Sequence, residues 1–115
     1  MVKIVLVTHG HLAQQMLETA GQIIGKPSDD GFATFAVTTA ASVEKEAAKL
    51  HELLKSCEDG ALILTDIFGG SATNISLTAS KDLPQCYVIT GLNLSMLLTA
   101  INSRKKLNAE ELAEK

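Results

Sequence analysis

Two side chains in this sequence of 115 residues have the types and settings for nucleophilic chemistry. His9 directly follows the run Val2-Lys3-Ile4-Val5-Leu6-Val7-Thr8, and Asp66 directly follows Ala61-Leu62-Ile63-Leu64-Thr65. A neutral imidazole attacks through one ring nitrogen when a carboxylate hydrogen-bonded to the other fixes the tautomer. Asp66 is the candidate orienting group for His9. Two neighbouring features favour phosphoryl transfer over acyl transfer. Gly69-Gly70-Ser71 opens a helical stretch, where glycines let backbone N–H groups approach an anion at the positive end of the helix dipole. Gly10 opens a second helical stretch beside His9, and the hydroxyls of Thr8 and Ser71 are suited to donate to phosphoryl oxygens. Such a site needs neither metal nor cofactor.

The elements that must position these groups follow from hydrophobic periodicity. Val2 to Val7 and Ala61 to Thr65 read as strands buried on both faces, the pattern of parallel sheets in α/β domains. Phe32 to Val37 and Cys86 to Ile89 read as two more strands, each entered through a turn cluster. Leu12, Met16, Ala20, Ile23 and Ile24 recur at helical spacing, and Gly25 with Pro27 closes a first helix over about residues 11–24. Ser42 caps a second helix with the stripe Val43, Ala47, Leu50 and Leu54, ending near Ser56. A short helix runs from Ser71 to about Ala79, another carries Leu94, Leu97, Leu98 and Ile101, and Asn108 with Glu111 resembles a capping box opening a last one. The alternation predicts one open, doubly wound, mainly parallel α/β domain over 1–115, with helices on both faces and flavodoxin-like strand order 2-1-3-4. The crevice of that order lies at the ends of the first and third strands, where His9 and Asp66 stand.

Composition narrows the class. Hydrophobic residues make up 46% and charged residues 20% of the chain, with three Phe and one Tyr, so an aliphatic core is expected. A formal charge of -3 and no basic cluster with interleaved aromatics argue against nucleic acid. No apolar run reaches membrane-crossing length and the amino terminus lacks signal-peptide features, so a cytoplasmic location is expected. Cys57 and Cys86 read as buried or incidental thiols. His9 and His11 form a His-x-His pair, but they straddle a strand-to-helix turn without a further ligand at suitable spacing. His11 is therefore read as a rim residue that touches partners, and no metal site is expected. His51, beside Leu50, reads as a helix-surface residue. Phe68 reads either as an aromatic anchor for a partner or as a buried loop plug.

The segments Thr8-His9-Gly10, Asp66-Ile67-Phe68-Gly69-Gly70-Ser71-Ala72-Thr73-Asn74 and Gly91-Leu92-Asn93-Leu94-Ser95-Met96-Leu97 occur in an order and spacing that resemble the mannose-type (mannose, fructose, sorbose) enzyme IIA family of the bacterial sugar phosphotransferase system. The resemblance covers nearly the whole chain. It implies that His9 accepts a phosphoryl group from the histidine-containing phosphocarrier protein and passes it to a IIB protein or domain. Membrane IIC and IID subunits are then indirect partners. By the same resemblance Asp66 is the hydrogen-bonding partner of His9, Ser71 and the Gly69-Gly70 backbone help hold the phosphoryl group, and Gly91, Asn93 and Met96 form another wall. The family usually continues beyond the last helix into a strand that in some members exchanges between two subunits. This sequence ends at Lys115 inside the expected last helix, so a homodimer of that kind is implied only where such a strand follows. Two other readings share these residues: a regulatory module phosphorylated as a signal, and a flavodoxin-like domain that binds a small anion, although the G-x-G-x-x-G fingerprint is missing. The sugar is not encoded in these motifs.

Overall fold

The computed structural model describes residues 2–25, 31–37, 42–66, 71–103 and 113. In chain order its elements are β1 (Lys3–His9), α1 (Leu12–Ile24), β2 (Phe32–Val37), α2 (Val43–Lys55), β3 (Ala61–Thr65), α3 (Ser71–Ser80), β4 (Cys86–Ile89) and α4 (Leu94–Ser103). The strands form one sheet in the order β2-β1-β3-β4, and every ladder is parallel. This is the doubly wound order expected from the sequence. The pattern of burial explains it. Ile4 to Val7 of β1 and all five residues of β3 are covered on both faces, whereas β2 and β4 at the edges are mostly half-buried.

Alternation along the two central strands divides the core. Ile4, Leu6, Leu62 and Leu64 pack with Ala13 and Ala20 of α1 and Leu97 and Ala100 of α4. Val5, Val7 and Ile63 face the other way, onto Ala47, Leu50 and Leu54 of α2 and Ala72, Ile75 and Ala79 of α3. Both layers are almost wholly aliphatic. Each large side chain sealed there, such as Leu50 or Leu64, contributes roughly 1.5–3 kcal/mol of transfer free energy. Register then sets the positions of the strand ends: His9 lies opposite Val37, and Val7 opposite Thr65.

Local signals set the helix boundaries. Ser42 accepts from the Lys45 N–H at 3.5 Å, Glu44 and Glu46 stand in the first turn of α2, and Lys55 stands in its last turn. The expected stripe of α2 needs one correction. Val43 is exposed, because the first turn of the helix stands clear of the sheet, while Ala47, Leu50 and Leu54 are buried as expected. Gly60, entering β3 with φ of 86°, is held by close packing as well as by its backbone angle, since a Cβ there would lie 2.4 Å from the Gln85 carbonyl oxygen. Cys57 and Cys86 are half-buried free thiols, and burial, with the nearby Cys57 adding to it, pushes the Cys86 thiol up. Among the described residues no helix is long and apolar enough to cross a membrane. The capping box expected at Asn108 and Glu111, Pro27 and the basic run Arg104-Lys105-Lys106 lie outside the described residues.

Candidate active site

β1 and β3 are neighbours, and the register carries β1 two residues beyond the Val7–Thr65 pair. His9 and Asp66 therefore meet where the two strands end. His9 Nδ1 lies 2.9 Å from Asp66 Oδ2, and the His9 backbone N–H donates to the same oxygen at 3.1 Å. The carboxylate is largely buried, with 12% of its side chain exposed, while the imidazole is 40% exposed. A hydrogen bond from Nδ1 to a carboxylate puts the proton on Nδ1, so the lone pair of the other nitrogen, Nε2, is free. The arrangement is one that a nucleophilic imidazole requires: one ring nitrogen is held, and the other belongs to an accessible ring.

The turn after His9 is built by its neighbours, and here two sequence expectations are corrected. Thr8, whose hydroxyl the sequence suits to a phosphoryl oxygen, is fully buried and its Oγ1 accepts the Ala13 N–H at 2.8 Å. Alternation along β1 turns Thr8 to the face opposite His9, where it satisfies an orphan amide in the first turn of α1. Gly10, whose N–H the sequence places for an anion, donates that N–H to the Val37 carbonyl at 3.1 Å. Its contribution is the left-handed turn, with φ of 57° and open space around the missing Cβ, that joins β1 to α1. His11 follows as the exposed N-cap residue of α1, its carbonyl accepting from Gln15. Among the described residues no group of three or more His, Cys, Asp or Glu is arranged to hold a metal ion.

Ser71 is the exposed first residue of α3, five positions after Asp66, so that helix opens beside the end of β3. Phe68, Gly69 and Gly70 lie outside the described residues. Past β4, Gly91 turns the chain with φ of 78° and the Leu92 N–H donates to the Thr65 carbonyl at 2.8 Å, which ties this loop to the end of β3. Asn93 caps α4, its Oδ1 accepting the Met96 N–H at 2.9 Å. Asn93 and Met96 also line a pocket of about 260 Å³ with Leu62, Leu64, Ile89 and residues of α4. His9 and Asp66 are not part of that pocket's lining.

Sequence reasoning missed two polar links outside the site. His51 is partly covered, its Nδ1 2.8 Å from the Ala79 carbonyl oxygen, so it fastens α2 to the end of α3. Thr65 Oγ1 and Thr73 Oγ1 lie 3.1 Å apart between β3 and α3, both buried. Strand–helix alternation could have indicated the second pair, since each hydroxyl falls at an otherwise apolar core position.

Comparison with known proteins completes the description. Residues 3–115 match the family model EIIA-man, described as the PTS system fructose IIA component. The PTS system mannose-specific EIIAB component of Escherichia coli strain K12 is 33% identical over 105 residues, 90% of this chain. The chain spans about a third of that protein's length, 32%. Among solved structures, phosphotransferase system component EIIA from Streptococcus agalactiae superimposes with a TM-score of 0.88 at 27% identity, covering 99% of this chain and 88% of that one. The mannose/sorbose specific IIA subunit from Enterococcus faecalis gives 0.85 at 32% identity, with 98% and 84% covered. Agreement over the full run of strands and helices, in sequence and in space, leads to one conclusion: the chain belongs to the EIIA-man family and is a phosphotransferase-system IIA component of the mannose, fructose and sorbose type.

Proposed function

We propose that the chain is a phosphoryl carrier in which Nε2 of His9 receives the group from the phosphohistidine of a histidine-containing phosphocarrier protein and donates it to a IIB protein or domain. The observation that carries this reading is the double engagement of Asp66 Oδ2 by the ring and the backbone of His9. In the forward step the Nε2 lone pair attacks phosphorus in line. A P–N bond forms to His9 as the donor's P–N bond breaks, and that bond's electron pair returns to the donor imidazole. The His9 ring, which keeps its Nδ1 proton, gains positive charge as it is phosphorylated. The fixed carboxylate of Asp66 faces that charge and stabilises it without reorganising. Transfer to the IIB acceptor reverses these movements.

The Ser71 hydroxyl and the backbone N–H groups at the opening of α3 are the groups in this reading that donate to the phosphoryl oxygens, aided by the helix dipole. His11, at the exposed start of α1, and Phe68 are the contacts offered to protein partners, with Gly91, Asn93 and Met96 forming the further wall. The work is cytoplasmic, and membrane IIC and IID subunits receive the group's effect only through IIB.

Intact-mass spectrometry after incubation with phosphoenolpyruvate, enzyme I and the phosphocarrier tests the proposal. One acid-labile phosphoryl group on the protein and none on His9→Ala is the expected result, with His11→Ala retaining it. Equal loss in both variants would overturn the assignment to His9. Failure to label the unaltered chain with a cognate donor of demonstrated activity would favour the anion-binding reading.

A further inference from the structure

Thr65 is the last residue of β3 and the residue before Asp66, and three other parts of the fold meet on it. Its backbone stands in register with Val7 of β1, two residues before His9. Its carbonyl accepts the Leu92 N–H from the loop that opens α4. Its hydroxyl, fully buried, lies 3.1 Å from that of Thr73 in the first turn of α3. Strand register alone sets the height at which β3 ends but leaves the exit direction of the chain to whatever holds its last residue. At Thr65 that direction is held on one side by a backbone bond and on the other by a side-chain pair.

We propose that the Thr65–Thr73 hydroxyl pair is a positioning device for Asp66, fixing the exit of β3 against the opening turn of α3 so that the carboxylate meets the ring and backbone of His9 together. The residues act through Asp66 and do not touch the phosphoryl group. For the effect on transfer the proposal rests on the carrier reading above, whereas its effect on the His9 ring does not. A hydroxyl pair that only satisfies itself in a helix–sheet seam predicts something different. Removing both hydroxyls at once then leaves neither hydroxyl without the other, and function tracks stability.

The test uses Thr65→Val, Thr73→Val, the double Val variant and the conservative Thr65→Ser. Two readouts are needed: the His9 tautomer, from NMR of the ring nitrogens in the unphosphorylated protein, and the single-turnover rate of phosphoryl uptake. Each single Val variant is expected to raise the fraction of ring protonated on Nε2 and to slow uptake by roughly tenfold to a hundredfold, the scale of a small misplacement of reacting groups. Thr65→Ser keeps the wild-type tautomer, and the double variant stays shifted and slow even where its melting temperature recovers. A double variant with wild-type tautomer and rate would overturn the proposal, as would single variants unchanged in both. If the unaltered chain takes no phosphoryl group from an active donor, the carrier reading fails while the tautomer measurement still decides the positioning claim.

Discussion

Two histidines in this molecule are held by the same atom in nearly the same way, and only one of them has a largely buried carboxylate as its acceptor. His9 at the end of β1 has Nδ1 2.9 Å from Asp66 Oδ2, and His51 on α2 has Nδ1 2.8 Å from the carbonyl oxygen of Ala79. A neutral ring held this way carries its proton on Nδ1 and its lone pair on Nε2. The difference lies in the acceptor. Ala79 sits one residue from the end of α3, where the last carbonyls lack helical partners, so His51 supplies a missing donor and locks two helices together. A neutral carbonyl offers only its partial charge to a ring that gains positive charge, and a carboxylate offers a full one. Surroundings reinforce the contrast. His9 stands at the switch point of the sheet, beside the turn into α1 and the start of α3, whereas His51 stands at a helix end whose dipole repels an anion. Fixing a histidine tautomer is therefore common structural work, and the charge and setting of the acceptor distinguish the chemical site.

The largest expected effect that tests this comparison is the loss of all phosphoryl uptake in His9→Ala against full uptake in His51→Ala, read by intact mass. Uptake lost in both would erase the distinction. Next comes Asp66→Asn, which preserves size but removes the charge and favours the wrong tautomer. Single-turnover transfer should fall by about a hundredfold or more, as in other sites where a histidine loses its carboxylate, and an unchanged rate would remove Asp66 from the mechanism. His51→Ala should lower stability by about 1 kcal/mol through the lost hydrogen bond. Thermal unfolding should show this as a drop of about 4 °C. Smallest is Asp82→Asn. Its Oδ1 lies 3.8 Å from His51 Nδ1 on a side chain that is 75% exposed, and such a surface pair is worth under about 1 kcal/mol. A loss as large as that of His51→Ala would mean that the carboxylate, and not the Ala79 carbonyl, is the effective partner of that ring.

The same contrast shows which features were legible in the sequence. β1, β3 and the meeting of His9 with Asp66 could be read because buried parallel strands write continuous apolar runs, and the residue after each run is carried to a known edge. β2 and β4 were legible through their flanking turns. Thr8 and Gly10 read as site residues yet bond Ala13 and Val37, because a hydroxyl or an amide has the same chemistry whether it meets a ligand or another part of the backbone. For Thr8 the period of two along β1 held the answer, since His9 and its immediate neighbour must face opposite ways. The Gly10 bond to Val37 and the His51 bond to Ala79 each join residues more than twenty positions apart, so no local pattern announces them. Val43 was misplaced for a simpler reason: helical periodicity gives the direction of a side chain but not whether the neighbouring layer extends that far.

One further property follows from Asp66 Oδ2 receiving the backbone amide of His9 as well as its ring. That amide belongs to the backbone of β1 and not to the side chain, so its bond to the carboxylate does not depend on the rotation of the ring. On the proposed carrier reading, the acceptor oxygen thus has a fixed partner through a complete cycle of loading and unloading. The relay proposed for this chain must return unchanged after every exchange, and the part that it would have to restore is a single ring turning about its own side-chain bonds.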